Sequence, residues 1–227
     1  MVPARLRAAN LMSRRGNLTG ARALLQKTPA ETPSARAELV IGEATLLRES
    51  GDNAGALKLV ERAVVKDPGN VTLRYELGML AERVGKQDLF ERSMREVIRR
   101  DPKYAQAYNA LGFTYADKNI RLKESRALIE KALSLSPNDP FILDSMGWVC
   151  YRENKLTEAL DYLNRAAALR TDPEIIAHQV VVLQAMGKTN EALELWRSAR
   201  QRFPESVELK AAGKSLPGAQ STEPPRP

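Results

Sequence analysis

The sequence predicts an all-α protein made of stacked helix pairs, and three observations predict it. Alanine, leucine, glutamate and arginine dominate the 227 residues while aromatics supply only 5%, and side chains of this kind lose little rotamer freedom on a helix. Prolines close amphipathic segments at Pro33, Pro68, Pro102, Pro137 and Pro204, a ladder of 33 to 35 residues once Thr171 takes the missing rung. Gly16, Gly51, Gly85 and Gly187 stand between the helices of four pairs, with Asn154 substituting in another, where the chain must turn.

The ladder divides the chain into units near 3–33, 37–68, 71–102, 105–137, 140–171 and 173–204. In the first, Ala21, Leu25 and Thr28 mark the inner stripe of the second helix, which Pro29 interrupts. Ala56, Val60 and Ala63 repeat that stripe in the second unit. The third carries Leu77 and Gly78 on its first helix, then Met94 and Val97, with Phe90 where the other copies hold a small residue. The fourth has Leu111 and Gly112, then Ser125, Ile129 and Ala132; the fifth Met146 and Gly147, then Ala159, Leu163 and Ala166. In the sixth, Gln179 and Val180 replace the large-residue and glycine pair, ahead of Ala192, Trp196 and Ala199. Each unit has an apolar stripe too thin to close a core alone, so neighbours must stack to bury it. Residues 205–213 read as a stub helix covering the last unit, and 214–227, rich in Pro, Ser and Gly, as a disordered tail.

The stretches "AYNALGFTYADKN", "ESRALIEKALSLSP" and "LDSMGWVCYRENKLTEALDYLNRA" resemble tetratricopeptide repeats, with leucine-glycine, aromatic, alanine and proline at that family's spacing over residues 3–204. The resemblance implies a right-handed superhelix of about six helix pairs, forming one solenoid over residues 1–213, with first helices lining a concave face. In such repeats positions 5, 9 and 12 of the first helix usually face the groove. Counted from Pro140, Trp148 is position 9, Tyr151 position 12 and Cys150 a packing position. The same count across the chain gives a candidate partner groove, a strip of Tyr75, Met79, Phe113, Trp148 and Tyr151 bordered by Asn109, Asp144 and Arg152. An apolar and aromatic strip of this size, with Trp, Tyr and Arg in it, is the composition of a protein-binding surface for a peptide or helix. The family's carboxylate clamp needs cations and asparagine on adjacent repeats, and that set is absent.

Several functions are disfavoured by the residues themselves. Cys150 has no second cysteine to pair with, and His178 has no metal-ligand cluster or nucleophile in register, so neither a catalytic set nor a metal or cofactor site is expected. Cys150 reads as a small buried apolar residue, His178 as a satisfied helix residue and Trp196 as core. Residues 1–36 hold seven Lys and Arg against Glu31 alone, out of a net charge of +7 for the whole chain, but lack aromatics on which bases would stack. No stretch has the length and apolarity of a membrane span or the core of a signal peptide.

A narrower resemblance runs over residues 108–197, which look like the C-terminal repeats of proteobacterial outer-membrane lipoproteins, one of which is the adaptor of a carboxy-terminal processing protease. It implies a non-catalytic scaffold that wraps the protease and delivers cell-wall hydrolases to it. The expected location is then the periplasm, with an outer-membrane anchor upstream of Met1, and otherwise the cytoplasm. Two other readings stay open: a regulatory repeat segment of a larger enzyme such as a glycosyltransferase, and a nucleic-acid contact through the basic first 36 residues.

Overall fold

The computed structural model describes residues 2–219, and among them every regular element is an α-helix. Thirteen helices run as six pairs and a short final helix: α1 (Val2–Arg14) and α2 (Leu18–Gln26), α3 (Pro33–Glu49) and α4 (Asn53–Lys66), α5 (Val71–Arg83) and α6 (Gln87–Arg100), α7 (Ala105–Asp117) and α8 (Leu122–Leu135), α9 (Pro140–Arg152) and α10 (Leu156–Leu169), α11 (Pro173–Ala185) and α12 (Thr189–Arg202), then α13 (Val207–Gly213). They group into two compact units, Met1–Pro102 with α1 to α6 and Lys103–Pro227 with α7 to α13.

The helix starts follow from the sequence. Asp52, Asn70, Asp139, Asp172 and Ser206 precede helices and accept backbone N–H bonds from the first turn, offsetting donors that have no intrahelical partner. Thr32 does the same for α3 with Pro33 at its first position, so this helix begins four residues ahead of the expected 37. The turns within pairs use the left-handed region at Gly16, Gly51, Gly85 and Gly187, with φ of 83°, 89°, 77° and 77°. Asn154 takes it at 61° and Asn119, which the spacing did not single out, at 55°.

Within each pair the recurring small residues let the helices approach. A Cβ added to Gly112 would sit 2.6 Å from Ile129 Cγ1 and 3.0 Å from the Ser125 carbonyl, and one on Gly147 2.7 Å from Leu163 Cγ. Ala21, Ala56, Phe90, Ser125, Ala159 and Ala192 are sealed from solvent. Ser125 satisfies its hydroxyl by donating to the Gly112 carbonyl at 2.7 Å, as a buried polar group must. Leu163, Ile129 and Met94 are equally sealed, each such side chain contributing roughly 1.5–3 kcal/mol of burial.

In the first unit, Val2, Ala9, Ala21, Leu25, Leu39 and Leu46 form one core. In the second, α13 closes the last pair: Trp196 donates its indole N–H to the Leu209 carbonyl at 2.7 Å, and Gly213 lies so close that a Cβ would stand 2.6 Å from Trp196 Cζ2. The disordered tail expected from 214 onward is corrected for residues 214–219. Leu216 and Ala219 are buried in the α11–α13 core, and Ser215 exchanges hydrogen bonds with Gln184. Apolar contact outweighs the loop-forming composition there; residues 220–227 lie outside the described residues.

Candidate functional site

Helices α7, α9 and α11 supply the first-helix face of the second unit, and α9 contacts both of the others. Its centre is Trp148. Against the expectation of a groove wall, Trp148 is only 8% exposed and Asp144 only 4%. The physical reason is His178, on α11, whose imidazole stacks on the indole at 4.2 Å and 22°. A flat ring from the next repeat covers the face that was expected to be open.

His178 is held in place by Asp144, with Nδ1 and Oδ1 2.8 Å apart. Burial disfavours the imidazolium, but Asp144, by charge and hydrogen bond, outweighs it, helped by Glu174 and Asp117, so the His178 pKa lies above its ordinary value. Burial in turn raises Glu174, partly countered by His178. Phe113, on α7, reaches the same imidazole with a tilted contact of 6.1 Å. His178 is thus the satisfied helix residue its position suggests, and it is also the piece that joins Phe113, Asp144 and Trp148.

The rim of this block is more open. Tyr151 stacks on Trp148 at 4.8 Å and 28°, and both Tyr151 and Phe113 remain half-buried. Arg152 lays its guanidinium 4.8 Å from the Trp148 ring and 5.8 Å from that of Tyr151, a cation–π arrangement. It donates to the Asp117 carbonyl at 2.8 Å. Three buried polar atoms of the candidate residues have no hydrogen-bond partner among the described residues: Trp148 Nε1, Arg152 Nε and Asn109 Oδ1. Of the other candidates, Tyr75 and Met79 lie one turn apart on α5 in the first unit, both half-buried.

Cys150 faces the other way and is sealed. Burial pushes its thiol up to about 12, only partly offset by Arg126, whose Nη2 donates to Sγ at 3.2 Å. Arg126 is locked by a two-pronged contact with Glu153, the shortest leg 2.7 Å. This is structural bracing between α8 and the end of α9. Among the described residues no group of three His, Cys, Asp or Glu could hold a metal ion.

Helix pairs recurring every 34 residues or so, with glycine or asparagine turns and small residues at the crossings, define a helical-repeat protein of the kind that serves as a scaffold for protein interaction. The repeats are tetratricopeptide repeats: sequence models described as tetratricopeptide repeat match residues 41–90 and 105–139. The chain is 38% identical over 177 residues to the TPR repeat-containing protein PA4667 of Pseudomonas aeruginosa, which covers 78% of the chain but only 30% of that relative's length. Among solved structures it is similar to TTC0263, a thermophilic TPR protein of Thermus thermophilus, with a TM-score of 0.69 at 20% identity over 77% of this chain and 95% of that one. It is also similar to YrrB, a TPR protein with an unusual peptide-binding site, with a TM-score of 0.55 at 19% identity over 81% and 90% of the two chains.

Proposed function

We propose that the chain is a non-catalytic scaffold that binds a protein partner, as a peptide or a helix, on the face built by α7, α9 and α11. The observation that carries this reading is the rim of Phe113, Tyr151 and Arg152 set on a sealed Trp148–His178–Asp144 block. A rigid aromatic base topped by half-open aromatics and an arginine is the make-up of a binding hot spot, and little conformational entropy is lost when such a surface is covered. The unpartnered Arg152 Nε adds a donor that a partner's carbonyl could satisfy once the guanidinium shifts. The likeness to YrrB, whose peptide-binding site belongs to the same fold, supports the reading at the level of the fold alone. In the first unit, Tyr75 and Met79 offer a separate contact for a partner.

The finer form rests on the resemblance to outer-membrane lipoproteins: the partner is a carboxy-terminal processing protease or its cell-wall hydrolase substrates, and the location is the periplasm, reached through an upstream anchor. The test is a capture experiment from proteobacterial periplasmic extract, with the wild-type chain beside a Phe113→Ala, Tyr151→Ala double variant of unchanged helicity. A protease or hydrolase bound by the wild type and lost from the variant supports the site and the adaptor role together. Equal capture by both removes the proposed face, and capture of neither enzyme class by the wild type removes the adaptor role.

A further inference from the structure

Asp144 and His178 form a buried pair whose charge balance depends on one proton. Asp144 is 4% exposed, and among the described residues its carboxylate has a single hydrogen-bonding partner, His178 Nδ1 at 2.8 Å. The imidazole is itself nearly sealed, with 12% of its side chain exposed, and it lies on the Trp148 indole at 4.2 Å. One side chain of α11 therefore neutralises a buried acid and covers an aromatic face at the same time.

The charges that act on this imidazole are of one sign. Asp117 from α7, Asp144 from α9, Glu174 from one turn earlier on α11 and Glu208 from α13 all reach it electrostatically. Two neighbouring cations are engaged elsewhere: Arg152 lies over the Trp148 and Tyr151 rings and donates to the Asp117 carbonyl, and Arg170, at the end of α10, pairs with Asp172. With the imidazole protonated, its bond to Asp144 is charge-assisted, roughly twice as strong as a neutral one. When the proton leaves, Asp144 remains a carboxylate in a sealed site, among like charges and held by a neutral N–H, an arrangement that burial penalises. Outward rotation of the imidazole relieves this by admitting water to the carboxylate, and the same rotation uncovers the indole.

We propose that His178 is a pH-operated lid on Trp148: protonated, it seals the indole beneath the α7–α9–α11 face, and neutral, it swings clear and opens that face. Two groups fixed on different helices, the Asp144 carboxylate and the Trp148 ring on α9 against the imidazole on α11, make the lid a contact between successive repeats. The device concerns the state of the face and holds whether or not a partner binds there as proposed above.

The chain has one histidine and two tryptophans, so NMR on the whole protein reports each part of the device separately. The His178 ring proton gives the titration midpoint. Exposure of the Trp148 indole is read from the relaxation caused by a neutral, soluble gadolinium chelate, with the Trp196 indole, bonded to the Leu209 carbonyl, as internal reference. Between about pH 6 and about pH 9, Trp148 is expected to gain relaxation severalfold with the midpoint of the His178 titration, while Trp196 stays constant. His178→Gln should remove the pH dependence, and Glu174→Gln should lower the midpoint but keep the transition, because one of the charges that favour the imidazolium is gone. A His178 that titrates while Trp148 stays covered, or that stays charged throughout the range, would overturn the proposal. So would a rise at both tryptophans, which reports unfolding, or a transition that survives in His178→Gln.

Discussion

The imidazole of His178 lies 4.2 Å from the indole of Trp148, the two planes within 22° of parallel, and the same imidazole is bonded to Asp144 on Trp148's own helix. One residue of α11 thus fastens α9 twice, by a ring face and by a charge.

The clasp should make stability depend on pH. The unfolded histidine titrates near 6.5 and the folded one above it, held up by Asp144, Glu174 and Asp117 against the opposing effect of burial. The folded state therefore binds the proton more tightly, so the contribution is fully present below about 6.5 and is lost as pH rises through the higher folded value. Melting curves between pH 6 and pH 9 should show a falling Tm in the wild type and a flatter profile in His178→Gln. Equal slopes would mean that the histidine is not the titrating group.

Removing the buried ring should cost more than removing its rim. Trp148→Ala empties a side chain that is 92% covered and should destabilise by about 3–5 kcal/mol in urea unfolding. Phe113→Ala and Tyr151→Ala, both half-buried, should cost roughly 1–2 kcal/mol each. A Trp148→Ala chain as stable as the wild type would place the indole outside the core.

Gly147→Ala tests the close crossing of α9 and α10. The added methyl would meet Leu163 Cγ at 2.7 Å and the Ala159 carbonyl at 3.1 Å, so backbone must shift. An overpacking loss of about 1–3 kcal/mol is expected from denaturant unfolding. Gly187→Ala makes the contrast: nothing stands within 4 Å of its Cβ, and its cost arises from the φ of 77° alone.

Cys150 should be inert in the folded protein. With the thiol sealed and its pKa pushed up to about 12, alkylation by iodoacetamide at pH 8 should proceed only through opening of the structure. Arg126→Ala breaks the bracing with Glu153 and should accelerate labelling, whereas an unchanged rate would show that Arg126 does not control access.

The helix pairs were legible because their signals are local: a turn residue, a capping side chain and a small residue at each crossing are read within one unit. The Thr32–Pro33 start of α3 is equally local, but the repeat count places the unit at 37 and hides it. The face of Trp148 was only half legible. Position along α9 gave its side of the helix, but its burial depends on a ring 30 residues later, and no spacing rule encodes which rotamer His178 adopts. Leu216 was missed for a similar reason, since one buried leucine amid glycine, proline and serine becomes visible only once Gln184 and Trp196 are in place beside it. Pro29 announced the short second helix of the first unit, and α2 does end early, at Gln26.

Helix α13 and the residues up to Ala219 have a bearing on solubility and assembly. In a stack of identical helix hairpins, the exposed flank of the last one is the template for the next, and two such flanks from separate molecules can satisfy each other. Here the Trp196 N–H is occupied by Leu209, and Ile176 and Val180 lie beneath Leu209, Ala212 and Leu216. The closing segment acts as a terminator of growth, so a chain cut after Pro204 should gain a sticky end and associate head to tail in proportion to its concentration.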